Sequence, residues 1–190
     1  MITHLIKSIN WIDVALGLLF VRMIFVGVKN GFISEFFKSL GIVTSVFISF
    51  HYYAFLAMWL VHKTNIVWRY WDLVIFVVLW IAVTLFFKFF RDGILLLFKV
   101  ETTHQGFDKY AAGILAVGRG ILVCSLTIFS ILLVNNLSMT RMTVHSYSYK
   151  IAGRADLITY NFLYKNLVNK LFTGEHYNSA AAKVLQPDGK

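Results

Sequence analysis

The chain has 190 residues, of which 58 % are apolar, 17 % are aromatic and only 14 % carry a charge. Soluble domains have about 45–50 % apolar and about 25 % charged residues, so a water-soluble globule of this size cannot bury so many apolar side chains. The same hydrophobicity excludes intrinsic disorder, and the single Cys excludes a disulfide scaffold or a thiolate metal cluster. Composition predicts an integral membrane protein. Its net charge of +9 then indicates loop cations near anionic lipid rather than nucleic-acid binding.

Four stretches are long and apolar enough to cross a bilayer, which needs about 20 such residues. They cover about residues 11–28, 39–62, 70–90 and 110–134. The second and third have charge-free centres, whereas the first contains Arg22 and the fourth contains Arg119. The sequence therefore predicts an all-α membrane protein, with a four-transmembrane-helix bundle over residues 1–134.

Residues 135–190 are more polar and begin with a linker rich in Asn, Ser and Thr. Apolar side chains then recur at helical spacing over about residues 155–172. This pattern predicts a C-terminal amphipathic helix that lies on the membrane surface or packs on a partner. The last dozen residues are predicted to be disordered.

The loop cations predict an orientation. With four spans, the N-terminus, the second loop and the tail share one side of the membrane. The short loops on the other side carry more Lys and Arg, so the positive-inside rule places the first and third loops in the cytoplasm and both termini in the periplasm. When Arg141, Lys150 and Arg154 of the early tail are counted as well, the two sides carry equal numbers of Lys and Arg residues.

Small residues recur every four positions on two predicted helices. We call them the two small-residue series: Gly41, Ser45 and Ser49 on the second helix, and Ala112, Ala116 and Gly120 on the fourth. Such spacing lets helix backbones approach closely in lipid. It predicts that the second and fourth helices pack through these series, within one chain or at a seam between copies in a homo-oligomer.

Patterns of known catalytic and nucleotide sites are absent. The chain has neither the His-Glu-x-x-His of zinc proteases nor a Gly-x-Ser-x-Gly elbow. The segment from Gly113 to Gly118 has phosphate-loop spacing but lacks the Lys-Ser/Thr that must follow. We therefore expect a protein that is not an enzyme, with no catalytic residue, no cofactor and no metal.

Arg119 is the most informative single residue, because it lies about nine residues into the fourth apolar stretch. A charge at this depth costs several kcal/mol unless it is paired or reaches water. It is interpreted as a structural residue of the bundle or as part of a polar pathway. His51 is interpreted as a satisfied polar residue or as a titrating group. The candidate partners of Arg119 are Asp13, Glu35, Asp72 and Asp108.

Five short motifs follow one another between about residues 10 and 172. They are Trp11-Ile12-Asp13, Gly31-Phe32-x-x-Glu35, His51-Tyr52-Tyr53, Gly106-Phe107-Asp108-Lys109 with Arg119-Gly120, and Leu157-Ile158. In order and spacing they resemble the colicin V production protein (CvpA) family of bacterial inner-membrane proteins. Asn30 and Lys109 depart from the Arg that this family carries. Ala112 and Ala116 replace glycines but keep the small size that close packing needs.

The resemblance implies a multi-pass protein of the bacterial inner (cytoplasmic) membrane that supports toxin production or export and envelope homeostasis. We expect a non-enzymatic scaffold or complex subunit whose partners are the bilayer, membrane proteins or further copies of itself. The alternative is a small oligomeric channel or transporter with a polar path near Arg119. The candidate functional residues are Asp13, Gly31, Glu35, His51, Asp108, Arg119 and Gly120.

Overall fold

The computed structural model describes residues 10–66, 70–98, 106–171 and 177–185, and contains helices but no strand within these ranges. Four helices are long and apolar enough to cross a membrane. The prediction of an all-α protein with four such helices is confirmed. They are α1 (Trp11–Asn30), α2 (Phe32–Thr64), α3 (Trp71–Phe98) and α4 (Gly106–Leu133).

Local chemistry explains where the first two helices end. Gly31 separates them, with φ of 76°, a conformation that side chains disfavour. One residue therefore reverses the chain and sets the first turn of α2 beside α1. At its other end α2 stops at Asn65, whose left-handed φ of 53° lets its N–H donate to Val61 at 2.9 Å.

Two helices extend beyond the predicted membrane spans. The second span was expected from residue 39, whereas α2 begins at Phe32; the third was expected to end at residue 90, whereas α3 continues to Phe98. The expected boundaries were placed at charged residues. In the structure Glu35 and Lys38 form an ion pair on the first turns of α2, so the helix accommodates charge where composition alone predicts a loop.

α2 lies at the centre of the bundle and packs on α3 and α4, while α4 also packs on α1. The core is aromatic: the ring centroid of Phe129 lies 4.4 Å from that of Phe50 and 4.9 Å from that of Phe76. α1 and α3 turn apolar side chains outwards, as Leu18 at 68 % and Phe89 at 71 % exposure show. Such faces suit contact with lipid chains or another membrane helix.

The C-terminal region is more ordered than predicted. The predicted polar linker folds into two short helices, and residues 179–185 of the supposedly disordered tail form another, because Ala181 and Leu185 are buried one turn apart. Residues 172 and 186–190 lie outside the described ranges. The helical stretch from Ala155 covers the predicted amphipathic helix. The elements are α5 (Leu137–Val144), α6 (Tyr147–Ala152), α7 (Ala155–Leu163), a π-helical segment (Tyr164–Val168), α8 (Asn169–Leu171) and α9 (Ser179–Leu185).

Candidate functional site

Three charged side chains meet between α2 and α4, and we call them the ionic cluster: Glu35, Lys38 and Arg119. The Glu35 side chain is fully buried. Its Oε2 lies 2.9 Å from Nη2 of Arg119, and its Oε1 accepts a hydrogen bond from Nζ of Lys38 at 2.6 Å. The exposed fractions are 9 % for the Arg119 side chain and 21 % for that of Lys38. Two cations thus share one buried carboxylate.

Contacts with α1 complete the surroundings of the cluster. Nδ2 of Asn30, the last residue of α1, donates to the Val26 carbonyl at 2.7 Å and to Oε1 of Glu35 at 3.4 Å. Nη2 of Arg119 also donates to the Met23 carbonyl at 3.4 Å. The buried Nε of Arg119 has no hydrogen-bond acceptor among the described residues. The cluster therefore joins α1, α2 and α4.

Among the four candidate partners of Arg119, the structure selects Glu35. The one-residue turn at Gly31 explains this choice, because it places the first turn of α2 next to α4. Asp108 is close by but has a different role: its Oδ1 accepts from the Phe32 N–H at 3.0 Å. Asp108 thus satisfies one of the free N–H groups at the start of α2.

Asp13 lies at the opposite end of the bundle, far along α1 from the cluster. Its Oδ1 accepts from the Ser148 N–H at 2.8 Å, which ties the start of α1 to α6. Nδ2 of Asn10 likewise donates to the Met142 carbonyl at 3.1 Å. The start of α1 and the helices after α4 therefore share one end of the bundle.

His51 belongs to a third place, where the C-terminal region docks on α2. Its Nδ1 lies 3.1 Å from the Tyr160 hydroxyl, which accepts from the Asn178 N–H at 3.1 Å. Nδ2 of Asn178 donates to the Phe50 carbonyl at 2.7 Å. His51 is 7 % exposed and stacks on Phe47. This arrangement favours the structural interpretation of His51, as a polar residue satisfied within the fold.

The two small-residue series lie at helix contacts that differ from the predicted one. A Cβ at Gly41 would lie 2.8 Å from Phe87 of α3, and Ser45 Oγ lies 3.3 Å from the Thr84 hydroxyl of α3. At these two positions the near neighbours lie on α3 rather than on α4. Ser49 and Ala112 are fully buried.

On α4 the small residues allow α1, rather than α2, to approach closely. A Cβ at Gly27 of α1 would lie 2.2 Å from Cβ of Ala116. A Cβ at Gly120 would lie 2.8 Å from the ring of Phe20. α2 and α4 still touch, for example where Ser39 Oγ donates to the Leu115 carbonyl at 3.5 Å.

Asp156, at the start of α7, was missed by sequence reasoning. Its carboxyl group is fully buried, and neither oxygen has a hydrogen-bond partner in the described part of the chain. Its backbone N–H donates to Oγ of Ser125 on α4 at 3.2 Å. Burial raises the pKa of the Asp156 carboxyl well above its ordinary value of 3.8. Nothing in the polar composition around residue 156 indicates burial, because it depends on the chain folding back onto α4.

Within the described ranges, no group of three or more His, Cys, Asp and Glu side chains is arranged to hold a metal ion. The ionisable candidates other than Asp108, which caps α2, lie in three separate places: the ionic cluster, the Asp13 contact and the His51 contact. Of the three, the ionic cluster contains the charge that is most costly to bury.

A comparison with protein families matches the family described as colicin V production protein over residues 12–156. The chain belongs to this family. The match covers the four long helices from Ile12 onwards, the ionic cluster and Asp156. It confirms the resemblance to this family, and of the five motifs only Leu157-Ile158 lies wholly outside the match. As a member of the colicin V production family with four helices of membrane-spanning length, the chain is a multi-pass membrane protein. Comparisons with curated proteins and with solved structures gave no match.

Proposed function

We propose that this chain is a non-enzymatic scaffold or complex subunit of the bacterial inner membrane, which supports the production or export of a colicin V-like toxin and envelope homeostasis. The family description supports the link to toxin production. The observation that carries the scaffold role is the ionic cluster: the buried carboxylate of Glu35 is held by Arg119 and Lys38 of the same chain.

A group that performs acid–base chemistry must reach the proton it transfers. Glu35 is fully buried, and each of its oxygens lies beside a cation. The His51 ring nitrogen Nδ1 faces the Tyr160 hydroxyl. These polar groups connect helices to one another and to the C-terminal region, so they support a rigid body rather than a reaction. The outward apolar faces of α1 and α3 then offer surface for membrane partners.

The competing proposal is a small oligomeric channel or transporter with a polar path near Arg119. One observation favours it: Arg119 lines a cleft beside the ionic cluster, and intramembrane charges often mark ion pathways. A flux measurement on reconstituted protein distinguishes the two. The scaffold proposal expects no ion flux above that of empty liposomes under any gradient. Robust flux that is lost in Arg119→Ala would overturn it in favour of the channel.

The toxin-related role is tested in a colicin V-producing strain that lacks this chain. Exported toxin activity should be restored by the wild-type gene and by Asp72→Asn, which changes an exposed carboxylate outside the ionic cluster. Glu35→Gln should restore much less, with the amount of protein in the membrane measured for each variant. Full toxin export without the chain would overturn the toxin-related role. If Glu35→Gln restores as much export as the wild type at an equal protein level, the role does not depend on the ionic cluster.

The inner membrane and the periplasmic termini belong to the same proposal. Asn10, just before α1, contacts Met142 of α5, so the start of α1 and the region after α4 lie at the same end of the bundle. This contact supports the placement of both termini on one side of the membrane. The cations of the first and third loops support a cytoplasmic opposite side. Alkaline phosphatase fused after Lys190 should be active, and a green fluorescent protein in its place should stay dark. The reverse pattern would overturn the orientation.

A further inference from the structure

A cleft of about 390 Å³ lies beside the ionic cluster, with walls from α2, α3 and α4 and one residue of α1. Apart from four cations, Thr84 and Gly41, its lining residues are apolar, including Ile42, Trp80 and Phe87. Gly41 lets α3 approach α2 closely at this point, because a Cβ there would meet Phe87. Four cations line the cleft and no carboxylate does so among the described residues: Lys38, Lys88, Arg91 and Arg119.

The charges around the cleft do not balance. Glu35 neutralises only one of the two cations that it contacts. Asp92, outside the cleft, neutralises Arg91, whose Nε donates to Oδ1 at 2.9 Å. Lys88 is exposed and forms no ion pair with any described residue. The cleft therefore has an excess of two positive charges, and an anion would offset it.

The cleft is polar at one end and apolar at the other. On α3 its lining runs from Trp80 to Arg91, eleven residues or about 16 Å along a helix. Lys88 and Arg91 follow the charge-free stretch of residues 73–87 in α3, whereas Trp80 and Ile81 lie within it. Ile81 is 51 % and Leu85 44 % exposed, so this wall is accessible from the side of the bundle that the bilayer covers. Such a shape fits a molecule with an anionic head and an apolar chain.

We propose that this cleft binds an anionic phospholipid. Its phosphate lies among Lys38, Lys88 and Arg91, and one acyl chain follows the apolar wall towards Trp80. A soluble anion would use the cations but none of the apolar wall, and a zwitterionic lipid would leave the excess charge uncompensated. The nearby Arg119 Nε, which has no acceptor in the described part of the chain, adds to the preference for an anion.

Trp80 is a built-in reporter of occupancy because it lines the cleft. The full chain is reconstituted in phosphatidylcholine vesicles, and Trp fluorescence is followed as brominated phosphatidylglycerol or brominated phosphatidylcholine is added. We expect phosphatidylglycerol to quench at lower mole fraction, and Trp80→Phe to lose this difference. The double variant Lys88→Gln/Arg91→Gln should raise the half-quenching fraction of phosphatidylglycerol about 25-fold, about five-fold for each cation.

The matched control is Lys29→Gln/Lys109→Gln. It removes the same charge near the same end of the bundle, at exposed residues that do not line the cleft. This control should keep the wild-type quenching, and circular dichroism establishes that both double variants stay helical. Equal quenching by the two lipids, an equal loss in both double variants, or displacement of the quenching by inorganic phosphate would each overturn the proposal. If the cleft variant does not fold, the lipid comparison with Trp80→Phe still decides it.

Discussion

The carboxylate of Glu35 lies 2.9 Å from the guanidinium of Arg119, across the contact between the first turn of α2 and the fourth turn of α4. Lys38 holds the other carboxylate oxygen, so the cluster is asymmetric. Removing the carboxylate leaves two buried or half-buried cations facing each other. Removing Arg119 leaves an ion pair intact. Stability measurements can therefore distinguish this arrangement from a simple pair.

We predict that Glu35→Met destabilises the protein more than Arg119→Met, and Arg119→Met more than Lys38→Met. Loss of one partner from a buried pair costs about 3–5 kcal/mol, which we assign to Glu35→Met. Lys38 is the most exposed of the three, so its loss should cost about 1 kcal/mol or less. Reversible unfolding in detergent measures the order. The double variant Glu35→Met/Arg119→Met should cost less than the sum of its singles, and strict additivity would contradict the pairing.

A second prediction concerns the close approach of α1 and α4. Gly27→Ala should lower the free energy of unfolding by about 1–3 kcal/mol, because the new Cβ would lie 2.2 Å from that of Ala116. Gly17→Ala and Gly118→Ala are matched controls, since a Cβ at either position meets nothing within 4 Å. Adding Ala116→Gly to Gly27→Ala should restore stability. A Gly27→Ala protein as stable as the controls would show that the helices do not meet here.

The long helices were predictable because apolar length reports a membrane span directly. Which helices pack on each other was not predictable, because small residues indicate that another helix backbone approaches closely but not which helix it belongs to. Gly41 meets α3 and Gly120 meets α1 for this reason. Glu35 was among four candidate partners of Arg119, and the turn at Gly31 decided between them. The burial of Asp156 was not predictable, because it depends on a reversal of the chain after α4 that no local pattern near residue 156 indicates.

A third prediction tests how the C-terminal region is held. Tyr160→Phe removes the hydroxyl that lies 3.1 Å from Nδ1 of His51 and accepts from the Asn178 N–H. We expect trypsin to cut faster at Lys165 and Lys183, with the cleavage sites identified by mass spectrometry. Tyr147→Phe is the matched control, because Tyr147 is exposed and no described residue hydrogen-bonds its hydroxyl. Equal cleavage rates for the two variants would contradict docking through Tyr160.

The buried Asp156 gives the protein a dependence of stability on pH. Its pKa is raised well above 3.8 in the folded chain, so the folded state binds the proton more tightly than the unfolded state does. Above about pH 4 the unfolded carboxyl ionises while the folded one stays protonated, and stability falls as pH rises towards the folded pKa. The slope from this group is at most about 1.4 kcal/mol per pH unit.

Asp156→Asn should remove this part of the slope, because an amide does not ionise. Unfolding free energies measured from about pH 4 to about pH 8 should show the variant gaining stability relative to the wild type as pH rises. Ser125→Ala is the control: it removes the hydroxyl that accepts from the Asp156 N–H but keeps the carboxyl, so it should lower stability without flattening the slope. Parallel curves for Asp156→Asn and the wild type would contradict the raised pKa, whereas flattening by Asp156→Asn alone would locate the pH dependence in this one carboxyl.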